Sequence, residues 1–183
     1  MLTDRKKWFV KGLRDGIPIM LGYFAVSIAL GISARNAGMT APQATIASAL
    51  IMASAGQYIG FSIYAANATL LQLIILIAIT NLRYILMGAA LSQRMPEGTP
   101  VSRRILVGTC ITDEIFGVTI ARPGVPTPWF TFGAIAAAVP MWAAGTAAGI
   151  SMGNILPDNV VSALSVALFG MFLAVIVPQS RKD

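Results

Sequence analysis

Apolar residues fill this chain in long blocks, and polar residues interrupt them only briefly. Uncharged runs cover Gly16 to Ala34, Asn36 to Leu82, Pro123 to Pro157 and Asn159 to Ser180. One membrane crossing needs about 20 apolar residues, so the second and third-named runs each have room for more than one element. About six elements follow from this pattern, roughly Gly16 to Ala34, Gln43 to Tyr64, Leu70 to Leu91, Ile105 to Ala121, Thr127 to Gly149 and Val160 to Val177. Short breakers separate them, among them Asn36-Ala37-Gly38, Met95-Pro96-Glu97-Gly98 and Arg122-Pro123-Gly124. No stretch reads as an inter-domain linker. The expectation is an all-α, polytopic membrane helical bundle forming a single transmembrane domain over residues 1–183.

A weak internal similarity complicates this picture. Ser48-Ala49-Leu50 with Ala53 and Gly56 recurs as Ser162-Ala163-Leu164 with Ala167 and Gly170. Small residues are frequent enough here for chance to produce such a match, but repeats of this kind are common in transporters. The basic residues bear on the same question through the positive-inside rule. With the N-terminus in the cytoplasm and six full crossings, eight Lys and Arg fall inside and four outside. If elements 43–64 and 160–177 break or re-enter without crossing, ten fall inside and two outside, Arg35 and Arg122. The sequence therefore favours an inverted repeat with two broken or re-entrant elements, in a multi-pass protein of the cytoplasmic (inner) membrane.

Composition supports the membrane assignment: 56% of residues are hydrophobic and 11% charged, against about a quarter charged in soluble domains. The net charge of +6 lies at the N-terminus, between elements and at the C-terminus, where lipid headgroups lie, and makes no folded basic face for nucleic acid. Cys110 is the only cysteine and histidine is absent, so an internal disulfide and a thiolate metal cluster are excluded, and no cofactor or metal is implied. Neither His-Glu-x-x-His, Gly-x-Ser-x-Gly nor a nucleotide-binding loop is present, which argues against an enzyme and against an ATP-driven pump.

Charges inside apolar stretches are costly and usually functional. Three need explaining: Arg83 in the third element and the adjacent Asp113 and Glu114 in the fourth. In a hairpin joined by residues 92–104, Arg83 and Asp113 lie at equal depth, about 12 Å from the ends. Asp113 and Glu114 point about 100° apart on a helix, so one can face Arg83 while the other serves solute or proton. A purely structural salt-bridge cluster is the alternative. Asn81 could hydrogen-bond a solute or a neighbouring helix. Ser54, Gly56 and Gln57 interrupt the second element, as in a broken helix whose freed backbone lines a solute cavity, or as in close helix packing. Gly145, Gly149 and Gly153 suit close contact within the chain or with a partner subunit, a second copy included.

Gly38-Met39-Thr40 leading to Ser48, the Ala55-Gly56-Gln57 turn, Asn81-Leu82-Arg83-Tyr84 and Thr112-Asp113-Glu114 together resemble the AzlC family, the YgaZ- or BrnF-like large subunits of two-component branched-chain amino-acid exporters. The resemblance implies a secondary transporter that exports valine, leucine, isoleucine and methionine, with a small hydrophobic AzlD-like membrane subunit as partner. Proton coupling would fall to Asp113 or Glu114, the chain having no histidine. The alternative is a channel or membrane scaffold subunit inactive without its partner. Family members usually continue beyond the position of Arg181-Lys182-Asp183, so the chain reads as C-terminally shortened.

Overall fold

The computed structural model describes residues 2–152 and, beyond them, positions 159, 160, 162, 163 and 166. Its elements are α1 (Leu2–Asp15), α2 (Ile17–Asn36), α3 (Ala41–Leu50), α4 (Ser54–Ala65), α5 (Leu70–Arg94), α6 (Val101–Thr109), α7 (Asp113–Ile120) and α8 (Pro128–Met152). Among the described residues no strand is present, and α2, α5 and α8 are long and apolar enough to cross a membrane. Threonines mark several helix starts. Gln43 Oε1 accepts from Thr40 N, and Gln72 Oε1 from Thr69 N, each at 2.9 Å, while Thr112 Oγ1 accepts from Ile115 N at 3.3 Å. These side chains satisfy orphan amides that a bilayer cannot hydrate.

The fold divides into two compact units. Unit 1 comprises residues 1–20 and 81–139, and unit 2 comprises residues 21–80 and 140–183. In unit 1, α1 lies against the first half of α8. A Cβ at Gly12 would strike the Phe130 carbonyl, and one at Gly133 the Phe9 carbonyl. In unit 2, α2 lies against the second half of α8. There Gly145 meets Phe24 and Ser27, Gly149 meets Ile28, and Gly31 meets Thr146 and Ile150. Arg35 Nη1 closes this contact by donating to Ile150 O at 3.1 Å. Residue numbers rise together on both sides of the contact, so α2 and α8 run parallel.

Two of the hydrophobic elements are broken. Residues 51–53 separate α3 from α4, and residues 110–112 separate α6 from α7. At the first break Ile51 and Ala53 are extended. A straight continuation would place Ser48 and Gln57 roughly 17 Å apart. Instead the two side chains touch each other, and they meet Thr146 and Trp142, one turn apart on α8. The chain therefore turns back at this break. The second break behaves alike. Arg103 at the start of α6 and Arg122 just after α7 would be roughly 28 Å apart on one straight helix. They rest on consecutive residues of α8, Trp129 and Phe130.

The second sequence-predicted element is thus broken, as expected. The fourth, read from the sequence as one continuous helix, is broken too, because Thr112 caps a new helix at Asp113. Element 160–177 and the second copy of the Ser-Ala-Leu similarity fall largely outside the described residues, as does Gly153. An arrangement in which only elements 43–64 and 160–177 fail to cross would make the first and fifth elements antiparallel. The parallel packing of α2 on α8 overturns it. The basic N-terminus, read only as a flank, is helical as α1.

Candidate functional site

In unit 1, α5 and α6 form an antiparallel hairpin whose register is read directly from its contacts. Around the Gly98 turn (φ +76°), Ser92 pairs with Arg104, Gly88 with Gly108, and Arg83 with Asp113. Arg104 binds the hairpin loop, donating to Ser92 O, to Thr99 O at 3.1 Å and to Pro96 O at 2.9 Å. Gly88 and Gly108 bring the two backbones together, since a Cβ on Gly88 would stand 3.2 Å from the Gly108 Cα. Close approach of this kind holds the register over the next turn and a half, where the charges lie.

Arg83 stands one residue beyond the middle of α5, and its Nη2 lies 2.9 Å from Asp113 Oδ2. The Asp113 side chain is nearly enclosed, at 12% exposure, and Arg83 is at 39%. The same Nη2 donates to Tyr84 OH at 3.1 Å, and the guanidinium sits over the Tyr84 ring with its carbon 4.9 Å from the centroid. Asp113 and Glu114 are the first two residues of α7, so both also face the positive end of its peptide dipoles. Two features thus hold negative charge at the break: a cation from α5 and the positive end of the α7 peptide dipoles. One turn along α5 from Tyr84, Asn81 is half-buried, and its Oδ1 accepts no hydrogen bond from the described residues.

In unit 2, the break between α3 and α4 carries no charge but has a buried chain of hydrogen bonds. Trp142 Nε1 donates to Gln57 Oε1 at 2.9 Å, Gln57 Nε2 donates to Ser48 Oγ, Ser48 Oγ donates to Thr146 Oγ1 at 2.7 Å, and Thr146 Oγ1 donates to Trp142 O at 3.2 Å. All four residues are buried, and the Tyr23 ring stacks at a tilt on Trp142, centroids 4.9 Å apart. The network ties both halves of the broken element to one turn of α8. Ser54 and Gly56 are buried at the start of α4.

The residues singled out by sequence therefore fall into two groups. Asn81, Arg83, Asp113 and Glu114 belong to unit 1, and Ser54, Gly56 and Gln57 to unit 2. Sequence reasoning named Tyr84 only within the Asn81-Leu82-Arg83-Tyr84 motif and gave it no role, although its aromatic plane supports the guanidinium. Neighbouring residues on a helix point about 100° apart, so periodicity hides such a contact, and only the reach of the long arginine stem makes it. Sequence reasoning missed Trp142 and Thr146, which are distant in sequence from Gln57 and carry no charge to draw attention.

The fold and these groups define a multi-pass membrane protein with an ion pair held at mid-length of a spanning helix. Comparison with known proteins agrees and is more specific: the family described as AzlC protein matches residues 18–156, and the chain belongs to that family. An uncharacterized membrane protein of Archaeoglobus fulgidus is 30% identical over 180 residues, covering 97% of this chain and 78% of its own length. The inner membrane protein YgaZ of Escherichia coli is 27% identical over 62% of this chain, which spans 46% of that protein. The branched-chain amino acid transport protein AzlC of Bacillus subtilis is 24% identical over 91% of this chain, which spans 66% of it. No solved structure matches.

Proposed function

We propose that this chain is a secondary transporter domain that exports branched-chain amino acids, coupled to protons and working with a small hydrophobic membrane subunit. The Arg83–Asp113 pair at the start of a broken helix, halfway along α5, is the observation that carries the reading. Charges at that depth are retained for ion or solute traffic. Family membership and the name of the Bacillus subtilis relative support the substrate class. In this mechanism the solute carboxylate competes with Asp113 for Arg83. The buried Oδ1 of Asn81 accepts from the solute ammonium. Asp113, displaced from its cation, takes up the proton, with Glu114 beside it. Exposed leucines and isoleucines of α5 meet lipid rather than solute, so the side-chain pocket is expected on the enclosed side of the pair.

The test is intracellular valine and leucine in cells fed branched-chain dipeptides, with this chain co-expressed with a small AzlD-type subunit. Faster extrusion that collapses when the proton gradient is dissipated is the expected result. Unchanged pools in cells whose membranes contain both proteins would reject amino-acid export.

The same reading places the N-terminus in the cytoplasm. If α2, α5 and α8 cross and both broken elements re-enter, Arg5, Lys6, Lys7, Lys11, Arg14, Arg94, Arg103, Arg104 and Arg122 share the cytoplasmic side. Of the described basic residues only Arg35 then lies outside, with Arg83 in the membrane. Crossing by both broken elements would instead move Arg94, Arg103 and Arg104 outside, against the positive-inside rule. A cysteine placed at Glu97, in a Cys110→Ser background, should react with membrane-impermeant maleimide only after the cells are opened. Labelling in intact cells would reverse the assignment.

A further inference from the structure

At one end of unit 1, four separate parts of the chain bring three arginines against the rings of Trp8, Trp129 and Phe130. Arg5 of α1 and Arg103 of α6 both lie over the Trp129 ring, at 5.4 and 5.3 Å from its centroid. Arg122, between α7 and α8, lies 3.6 Å from the Trp8 ring centroid and 4.8 Å from that of Phe130. Arg5 and Arg103 are thus at most about 11 Å apart, close enough for like charges to repel. Among the described residues no carboxylate forms an ion pair with any of the three. Asp15, the acid whose field reaches Arg122, is itself paired with Lys11 at 3.2 Å. The Nη1 of Arg122 is buried and makes no hydrogen bond with the described residues.

This grouping is tightly built. Gly12 and Gly133 set α1 directly on α8, which fixes Arg5 and Trp8 against Trp129 and Phe130. The turn-back at residues 110–112 returns Arg122 to the end of α8 where Arg103 begins. Nearby Arg104 shows the contrast, because its guanidinium is committed to carbonyls of the hairpin loop. Arg5, Arg103 and Arg122 instead keep donors for something that the described residues do not supply.

We propose that this arginine cluster is a binding site for the phosphodiester headgroup of an anionic phospholipid. Guanidinium forks match phosphate oxygens in paired hydrogen bonds, and tryptophans favour the membrane–water boundary. The surroundings fit a lipid better than a dissolved anion. Val10, Leu13 and Ile17, spaced three and four residues apart in unit 1, are 51%, 39% and 44% exposed. They form an exposed apolar stripe on unit 1, along which an acyl chain can lie. The site would also hold the two ends of the α6–α7 element together, with the lipid phosphate bridging Arg103 and Arg122.

The test is native mass spectrometry of the full chain after exchange with an equimolar mixture of phosphatidylglycerol and phosphatidylcholine. The wild type is expected to retain phosphatidylglycerol selectively. The double variant Arg103→Gln/Arg122→Gln should hold roughly tenfold less, as the loss of charge-assisted hydrogen bonds implies. Lys6→Gln/Lys7→Gln, which removes the same charge from the exposed face of α1, should retain the selectivity. Thermal unfolding in detergent establishes that each variant is folded, and Arg103→Gln alone serves if the double variant is not. Equal retention of the two lipids by the wild type, or equal loss in both double variants, would overturn the site. Displacement of phosphatidylglycerol by inorganic phosphate would assign it to a soluble anion and overturn the lipid assignment.

Discussion

Asp113→Asn is expected to lower export by at least about tenfold, a transition-state cost of about 1.4 kcal/mol or more. Membrane insertion should be retained. Two effects contribute, and a second variant separates them. Removing the carboxylate leaves Arg83 without its counter-ion in an apolar span, which is destabilising in itself. Arg83→Gln/Asp113→Asn removes both charges and with them that penalty. If the pair only holds α5 to the break, the double variant recovers thermal stability and export together. If the pair handles solute and proton, as proposed, it recovers stability alone. Glu114→Gln, one position along α7, should have the smaller effect, because Asp113 keeps the 2.9 Å contact with the guanidinium. Wild-type export by Asp113→Asn, measured with the small subunit present, would remove this pair from the mechanism.

The second large effect is one of packing. Gly149→Val puts a Cβ into the backbone of Ile28, and Gly31→Val puts one into the backbone of Thr146 and Ile150. Neither obstacle is a flexible side-chain end that could swing away. Overpacking of this kind costs about 1–3 kcal/mol and occasionally more. At about 2–4 °C per kcal/mol for a chain of this size, the unfolding temperature in detergent should fall by roughly 2–12 °C. Gly22→Val on the same helix α2 is the control, since nothing lies within 4 Å of a Cβ there. A drop for Gly22→Val as large as for Gly149→Val would mean that helix content, and not the contact with α8, sets the result.

Much of this was legible in the sequence. The spacing of charges sufficed for the membrane class and for the five hydrophobic elements that the described residues cover. The equal distances of Arg83 and Asp113 from their loop put the two at one depth, and the hairpin register places them in contact. The break at residues 110–112 was harder to see. Cys110-Ile111-Thr112 contains no glycine or proline, and the signal is the threonine cap followed by two acids, the usual start of a helix. Read inside an apolar run, the acids drew attention as charges and not as a helix beginning. α1 was hidden for the opposite reason, because its basic residues look like a headgroup flank. The face that carries Phe9, Gly12 and Gly16 at helical spacing was the available clue.

The glycine contacts between α2 and α8 also bear on how the protein is made. The α5–α6 hairpin joins residues near in sequence and can close soon after it leaves the ribosome. Arg35, by contrast, bonds a carbonyl 115 residues further on. At about 5–20 residues per second, the ribosome needs roughly 6 to 23 seconds to deliver that partner. During this interval the glycine-bearing face of α2 must wait in the bilayer uncovered. Quality-control proteases and insertion chaperones that recognise unassembled helices would meet the chain in that window. Slowing translation between α5 and α8 should therefore lower the yield of the protein more than slowing it within the α5–α6 hairpin.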